Sequence, residues 1–265
     1  MIKPKISQSL LKALASYHND DVRDCGRALF YQFFEKIRTK PSDVMKLGIY
    51  FEYKCTGYAP TPEEIPEAER VYVGTARERI ATDYERAEKS ALLYRELLAH
   101  YNIKVIEYAK HLEFDGSTGL IDIIANFNGE DCIIDLKYTS LIDDKFNEFG
   151  WHTPSLQYKS MLMTQPIHYK YLAKKIYGKD YPFYFFVFSS KNETDAKIIR
   201  ANIQEEHIEL HDEVVIGKAK KYIDYYYTNP ETLEARPNYK RCMGCSYFDI
   251  CDKKATLPTI EDIYF

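Results

Sequence analysis

The sequence predicts an α/β fold, a central mixed β-sheet flanked by helices, and three features carry that prediction. From Lys104 to Tyr138 the apolar period is two, and Gly116 and Asn128-Gly129 divide the run into three strands that read as an antiparallel meander. Phe183 to Ser189 is almost entirely aromatic or Val, the pattern of a central strand buried on both faces, with Ala196 to Ile203 as its expected neighbour. The segments before and after this block carry apolar residues at helical spacing.

The elements follow in order. Ile6 to Leu14 has a helical pattern behind a Ser cap candidate, and Asp24 to Arg38 repeats it with Leu29, Phe30, Phe33, Phe34 and Ile37. A third helix is expected from Ser42, with Asp43 in its first turn and Val44, Leu47 and Phe51 on one side. Gly57, Pro60, Pro62 and Pro66 mark a loop. Glu67 to Tyr101, rich in Ala, Glu, Arg and Leu and free of proline, reads as one long helix or two, its mixed charges a solvated face. After the meander, Pro154 to Leu162 looks like a helix start, and Pro166 reads as a break before Tyr169 to Tyr177. A helix over Gln204 to Tyr227 closes the pattern. No internal repeat or low-complexity tract interrupts it.

Composition narrows the class of protein. With 265 residues, 45% of them hydrophobic, the chain can bury a sizeable core and is not a disordered protein. No stretch approaches the roughly 18 to 20 apolar residues of a membrane span, and Met1-Ile-Lys-Pro-Lys lacks a signal-peptide apolar region. A cytoplasmic protein with no membrane partner is the expectation. Thirty-six basic against 40 acidic residues give a net charge of -4, which argues against coating nucleic acid by bulk charge but allows a local basic groove beside an acidic metal site. Six cysteines in a reducing compartment point to metal or cluster ligation before disulfides.

The stretch that carries chemistry is Gly119-Leu-Ile-Asp122, followed across the Asn-Gly turn by Ile133-Ile134-Asp135-Leu136-Lys137. A hairpin brings Asp122 and Asp135 together, and on a strand Asp135 and Lys137 leave the same face. Ile133, Ile134 and Leu136 mark a buried strand, where a charge needs a partner or a metal. Carboxylates that hold Mg²⁺ or Mn²⁺ with open positions are suited to phosphodiester hydrolysis, because such hard ions keep waters and accept phosphate oxygens. Lys137 would orient the water or neutralise the transition state, and the Leu136 carbonyl oxygen is a possible further ligand.

Cys242-Met-Gly-Cys245 and then Cys251 place three thiols in one compact segment, with Gly244 letting the backbone fold around an ion or cluster. One ligand is missing. Cys25 and Cys55 are the upstream candidates, and Cys132, inside an apolar run, reads as a core thiol.

This arrangement resembles the PD-(D/E)XK nuclease superfamily, with Gly119-Leu-Ile-Asp122 as its first acidic motif and Asp135-Leu-Lys137 as its (D/E)-x-K. The resemblance implies a restriction-endonuclease-like core within a single nuclease domain, 1–265. Its parts are a mainly helical 1–101, a catalytic sheet core 102–203, and a C-terminal helix and cysteine motif 204–265. The RecB-like branch adds a Gly-x-x-x-His ligand motif on an upstream helix; here Gly48-Ile-Tyr-Phe-Glu52 puts glutamate at the His position, whose oxygen still suits Mg²⁺. The same branch has Gln-x-x-x-Tyr on the helix after the catalytic strand, and Gln157 is carried over as its glutamine although Met161 stands at the tyrosine position. Cys25-Gly-Arg-Ala-Leu-Phe30-Tyr31, after Ser7-Gln-Ser9, resembles the opening of the cluster-bearing members, AddB-type nuclease domains and the small nucleases of CRISPR adaptation. There one N-terminal cysteine and a C-terminal Cys-x2-Cys-x5-Cys hold a 4Fe-4S cluster, which implies Cys25, Cys242, Cys245 and Cys251 here, a structural staple with zinc as the rival. The implied activity is exonucleolytic, on single-stranded DNA or DNA ends, in recombination, repair or CRISPR adaptation. A non-catalytic DNA-binding or assembly subunit and a zinc-stabilised restriction-type endonuclease are the alternatives. Protein partners and oligomeric state stay open.

Overall fold

The computed structural model describes residues 1–18, 24–59, 61, 64–73, 77–142, 146–147, 150–151 and 163–257. The chain forms two compact units, one of residues 41–208 and one of residues 1–40 with 209–265. Among the described residues, no helix is long and apolar enough to cross a membrane.

The larger unit is built on five strands, β3 (Lys104–Phe114), β4 (Ser117–Phe127), β5 (Glu130–Thr139), β8 (Phe183–Ser189) and β9 (Ala196–Ala201), in the order β3-β4-β5-β8-β9. A minimal hairpin, β6 (Phe146–Asn147) with β7 (Gly150–Trp151), lies between β5 and β8 in the chain. The meander β3-β4-β5 is antiparallel, β8 runs parallel to β5, and β9 is antiparallel to β8, so the sheet is mixed as expected. Its turns follow from residue chemistry. Asn128 and Gly129 take φ of 54° and 88°, the positive values that a two-residue hairpin turn demands, and the Asn126 side chain accepts from the Gly129 N–H at 3.0 Å.

One face of the sheet packs against α3 (Asp43–Thr56) and α4 (Thr82–His100). Tyr50, Phe51 and Cys55 of α3 and Tyr84, Ala87, Ala91 and Tyr94 of α4 share a core with Ile123, Ala125, Ile134, Leu136, Phe186 and Phe188. Ser42 caps α3, its Oγ accepting from the Met45 N–H at 3.3 Å, and Gly57 ends it at φ 71°. Of the three residues expected on its packed side, Phe51 is buried and Leu47 half-buried, whereas Val44, in the first turn, is 80% exposed. The turn that carries Val44 precedes the part of the helix that lies over the sheet.

The helix expected over 67–101 starts later. Arg70–Val73 (β1) pairs with Arg77–Ile80 (β2) as a short hairpin, and only then does α4 begin. The run Val71-Tyr72-Val73 is β-branched and aromatic, and its strand preference outweighs the helical composition around it. On the other face lies α5 (Thr164–Tyr177). Pro166 is its third residue, where the missing N–H costs nothing, so it opens the helix instead of breaking it. The helix start expected at 154–162 lies outside the described residues.

The smaller unit is helical. Ser7 Oγ accepts from the Leu10 N–H at 3.2 Å at the start of α1 (Gln8–His18), which buries Leu10, Leu11, Leu14 and Tyr17. The helix expected over 24–38 is α2 (Gly26–Leu29) continued by a π-helical turn, Phe30–Phe34. Gly26 lies against the C-terminal segment: its N–H donates to the Glu234 carbonyl at 3.0 Å, and a Cβ there would stand 2.6 Å from the Leu233 carbonyl carbon. The helix expected over 204–227 is α6 (Glu205–Leu210), a π-helical His211–Ile216 and α7 (Gly217–Thr228).

Candidate active site

The register of β4 with β5 runs from Phe127 opposite Glu130 to Ile123 opposite Ile134, where it stops. Asp122 and Asp135 are the next residues, so the strands part where two carboxylates leave them. β5 continues beside β8, from Asp135 opposite Phe185 to Thr139 opposite Ser189. At the fork the Leu136 N–H donates to Asp122 Oδ2 at 2.8 Å, a side chain standing in for a strand partner. On the other flank of Asp122, Ala109 of β3 sits between the pairs Tyr108–Ile123 and Lys110–Ile121 with φ 50°. The backbone beside Asp122 therefore departs from regular pairing on both sides.

Asp135 is 1% exposed. Its Oδ1 accepts from Gln165 Nε2 at 2.5 Å, and its Oδ2 pairs with the Lys137 ammonium. Glu52, from α3, reaches this group closely enough that its charge acts on Asp122 and the charge of Asp135 acts on it. The structure thus brings Glu52, Asp122, Asp135 and Lys137 together. Leu136 turns its side chain into the core on the α3 side and presents only its backbone to the fork. Gln157 lies outside the described residues.

The electrostatics are those of crowded carboxylates. Burial, then the charges of Asp135 and Glu52, push Asp122 well above the usual carboxylate range, with Lys137 and the Leu136 N–H pulling back. Burial and Asp135 raise Glu52 in the same way. For Lys137 burial disfavours the charge, but Asp135, Asp122 and Glu52 together outweigh it and hold the ammonium above its ordinary value.

Sequence reading missed Gln165 and Tyr169. Gln165 donates to Asp135, and Tyr169, one turn further along α5, is buried and carries a hydroxyl pushed up by burial and then by Asp135 and Asp122. Gly119 explains how α5 comes so near: a Cβ there would stand 3.0 Å from the Tyr169 ring and from Leu172 Cδ1, tighter than ordinary contact. The signal was present as Gln165-Pro-Ile-His-Tyr169, which has the Gln-x-x-x-Tyr spacing. Reading Pro166 as a break hid it.

In the smaller unit Cys25, Cys242, Cys245 and Cys251 all line one cavity of about 340 Å³. Cys25 precedes α2 in extended conformation, and the Ala255 N–H donates to Cys242 Sγ at 3.3 Å. Cys132 is a core thiol pushed up to about 12 by burial and then by Asp131 and Glu130, and Cys55, the other upstream candidate, is 6% exposed in the core of the larger unit. Among the described residues no three His, Cys, Asp or Glu side chains stand close enough together to hold a single metal ion. At the fork the charge of Asp135 raises Glu52, and Asp135 and Glu52 together raise Asp122, a crowding of oxygen donors that a hard divalent cation would relieve.

A mixed sheet covered by helices, with acidic side chains and a lysine at the parting of two strands, is a nuclease-type core. The sequence model of the PD-(D/E)XK nuclease superfamily matches residues 21–252, and the chain belongs to that superfamily. Among solved structures, a presumed exonuclease from Eubacterium rectale is similar at a TM-score of 0.56 and 17% identity, over 84% of this chain and 82% of that one, a likeness of fold alone. LHK-Exo, solved in complex with dAMP, matches over 86% of this chain and 94% of that one, at 11% identity and a TM-score of 0.46. No curated protein matches the chain in sequence.

A raised carboxylate binds its proton more tightly folded than unfolded, so its contribution to stability is lost as pH rises from the ordinary carboxylate range through the elevated folded value. Asp122→Asn keeps an oxygen for the Leu136 N–H and removes the charge. In EDTA its melting temperature should exceed that of the wild type by a few degrees at pH 8, a gap that narrows toward pH 4. A variant less stable than wild type at pH 8 would contradict the crowding of charge at the fork.

Proposed function

We propose that the protein is a metal-dependent deoxyribonuclease of the RecB/AddB-like branch, acting as an exonuclease on single-stranded DNA or DNA ends in recombination, repair or CRISPR adaptation. The observation that carries this reading is Asp135, almost wholly buried at the parting of β4 and β5 and gripped by Gln165 on one oxygen and Lys137 on the other. A buried carboxylate with two cationic or amide donors on rigid elements is a positioned ligand. Gln165 and Tyr169, at Gln-x-x-x-Tyr spacing on the helix after β5, support the branch assignment and take the place first given to Gln157.

Asp122, Asp135 and Glu52, with the Leu136 carbonyl, would hold Mg²⁺ or Mn²⁺. The ion supplies Lewis acidity and a water of lowered pKa. The chain's own residues do the rest. Gln165 fixes the rotation of the Asp135 carboxylate, Lys137 places an ammonium where charge develops on the phosphate oxygens, and Tyr169, packed on Gly119, fixes the helix that carries Gln165. The two units are proposed to be parts of one nuclease domain, because the family match runs through both.

Four thiols lining one cavity support the 4Fe-4S cluster that the resemblance implies, with zinc, which four thiolates also suit, as the rival. The Ala255 N–H on Cys242 Sγ is the kind of donor that stabilises a thiolate ligand. Arg27, Arg236 and Arg241, which also line the cavity, would offset the cluster's negative charge. Its role would be to join the two ends of the chain.

Labelled single-stranded DNA should be degraded only with Mg²⁺ or Mn²⁺, and Asp135→Ala and Lys137→Ala should each slow this by about a hundredfold or more. Undiminished cleavage by both variants contradicts the assignment, and an inactive wild type favours a non-catalytic DNA-binding or assembly subunit. Protein purified without oxygen should contain iron and sulfide and absorb broadly in the visible, a band that Cys242→Ser loses. A colourless protein with stoichiometric zinc would point to the restriction-type alternative.

A further inference from the structure

The carboxyl ends of the parallel neighbours β5 and β8 open onto a cleft of about 460 Å³. In open α/β sheets, the crevice beyond the carboxyl ends of parallel strands is where ligands bind. The polar wall of this cleft is Lys137 and Ser140 from the end of β5, Ser190 and Lys191 just after β8, and Asp83 and Arg86 from the first turns of α4. It holds three cations against one carboxylate, in a chain whose net charge is -4. Lys137 belongs both to this wall and to the carboxylate cluster, so whatever fills the cleft lies beside the reaction centre.

The cations are positioned by the fold. Arg86 Nη1 donates to Asp83 Oδ1 at 2.8 Å and to the Ser190 carbonyl at 3.1 Å, and its Nε lies 4.0 Å from Glu193. Those contacts fix the guanidinium plane while the side chain stays 26% exposed. The backbone N–H groups of Lys191 and Asn192 both donate to Ser189 Oγ at 3.2 Å, which fixes the turn that carries the exposed Lys191 side chain. A phosphate approaching Glu52, Asp122 and Asp135 meets repulsion, and a polyanionic substrate needs cations alongside to offset it.

We infer that this cleft takes a backbone phosphate of the substrate strand adjacent to the one cleaved, with Arg86 and Lys191 as positioning residues; this rests on the nuclease reading above. The occupant is a single nucleic-acid strand, held by charge and hydroxyl groups and not by base identity. Such a site lowers KM and leaves the chemical step to the carboxylates.

The test is binding of a fluorescent single-stranded oligonucleotide in EDTA across a salt series, together with steady-state cleavage in Mg²⁺. Arg86→Ala/Lys191→Ala should flatten the slope of log Kobs against log salt by about 0.7, the loss of one neutralised phosphate, and raise KM about tenfold with kcat within about threefold. Lys191→Glu, at an exposed position where the ammonium has no ion-pair partner among the described residues, should shift both in the same direction should the double variant fold poorly. Wild-type slope and KM in the folded variants, or a fall in kcat at unchanged KM, would overturn the inference. A flattened slope in a protein that never cleaves would uphold the cleft and overturn the nuclease reading, whereas cleavage with unchanged slopes would overturn the cleft alone.

Discussion

The larger unit depends on one interruption, the end of the β4–β5 ladder at Ile123 and Ile134. A sheet that carried its pairing further would set Asp122 directly against Asp135 inside apolar layers, at a desolvation cost no strand pair could offset. Parting the strands lets the two carboxylates share one space. Each then acquires its own donor: the Leu136 N–H for Asp122, and Gln165 and Lys137 for Asp135. Those donors come from β5 and from α5 on the far face, so the fork is coupled to the packing of the unit.

That coupling explains why helices cover both faces. On one side Phe51 and Leu136 anchor α3 to the sheet, and Glu52, next in sequence to Phe51, is thereby delivered to the rim. On the other side Gly119 removes a side chain so that Tyr169 and Leu172 can settle against β4. Three carboxylates held this way oppose one another, on a sheet whose Ile133, Ile134, Phe183, Phe186 and Phe188 are wholly buried. Stability is given up locally where charge is concentrated, as expected of a site arranged for a cation.

Much of this was readable from residue types. Asn128-Gly129 and the period of two located the meander, because a two-residue turn with both φ positive admits few other sequences. Asp122 and Asp135 stood out because apolar neighbours made their charge expensive. What stayed hidden lacked a local signature. The parallel relation of β5 to β8 is set by the long connection between them, and a strand's direction leaves no mark in its own sequence. The hairpin Arg70–Ile80 was masked by the helix-forming residues that follow it. Gln165 was overlooked because a proline beside it suggested a helix end, when the first turn of a helix is where proline fits best. The four cysteines were found by spacing and resemblance, and their meeting at one cavity is a tertiary fact.

The central claim is that the carboxylates at the parting of β4 and β5 make a divalent cation site. Calorimetric titration of the purified protein with Mn²⁺ tests it most directly, in parallel with Asp135→Asn, which keeps the size of the side chain and an oxygen for Gln165. The account predicts a Mn²⁺ site in the wild type whose affinity falls more than about tenfold in the variant. Equal Mn²⁺ affinity in the two proteins, or no binding to either, would contradict it.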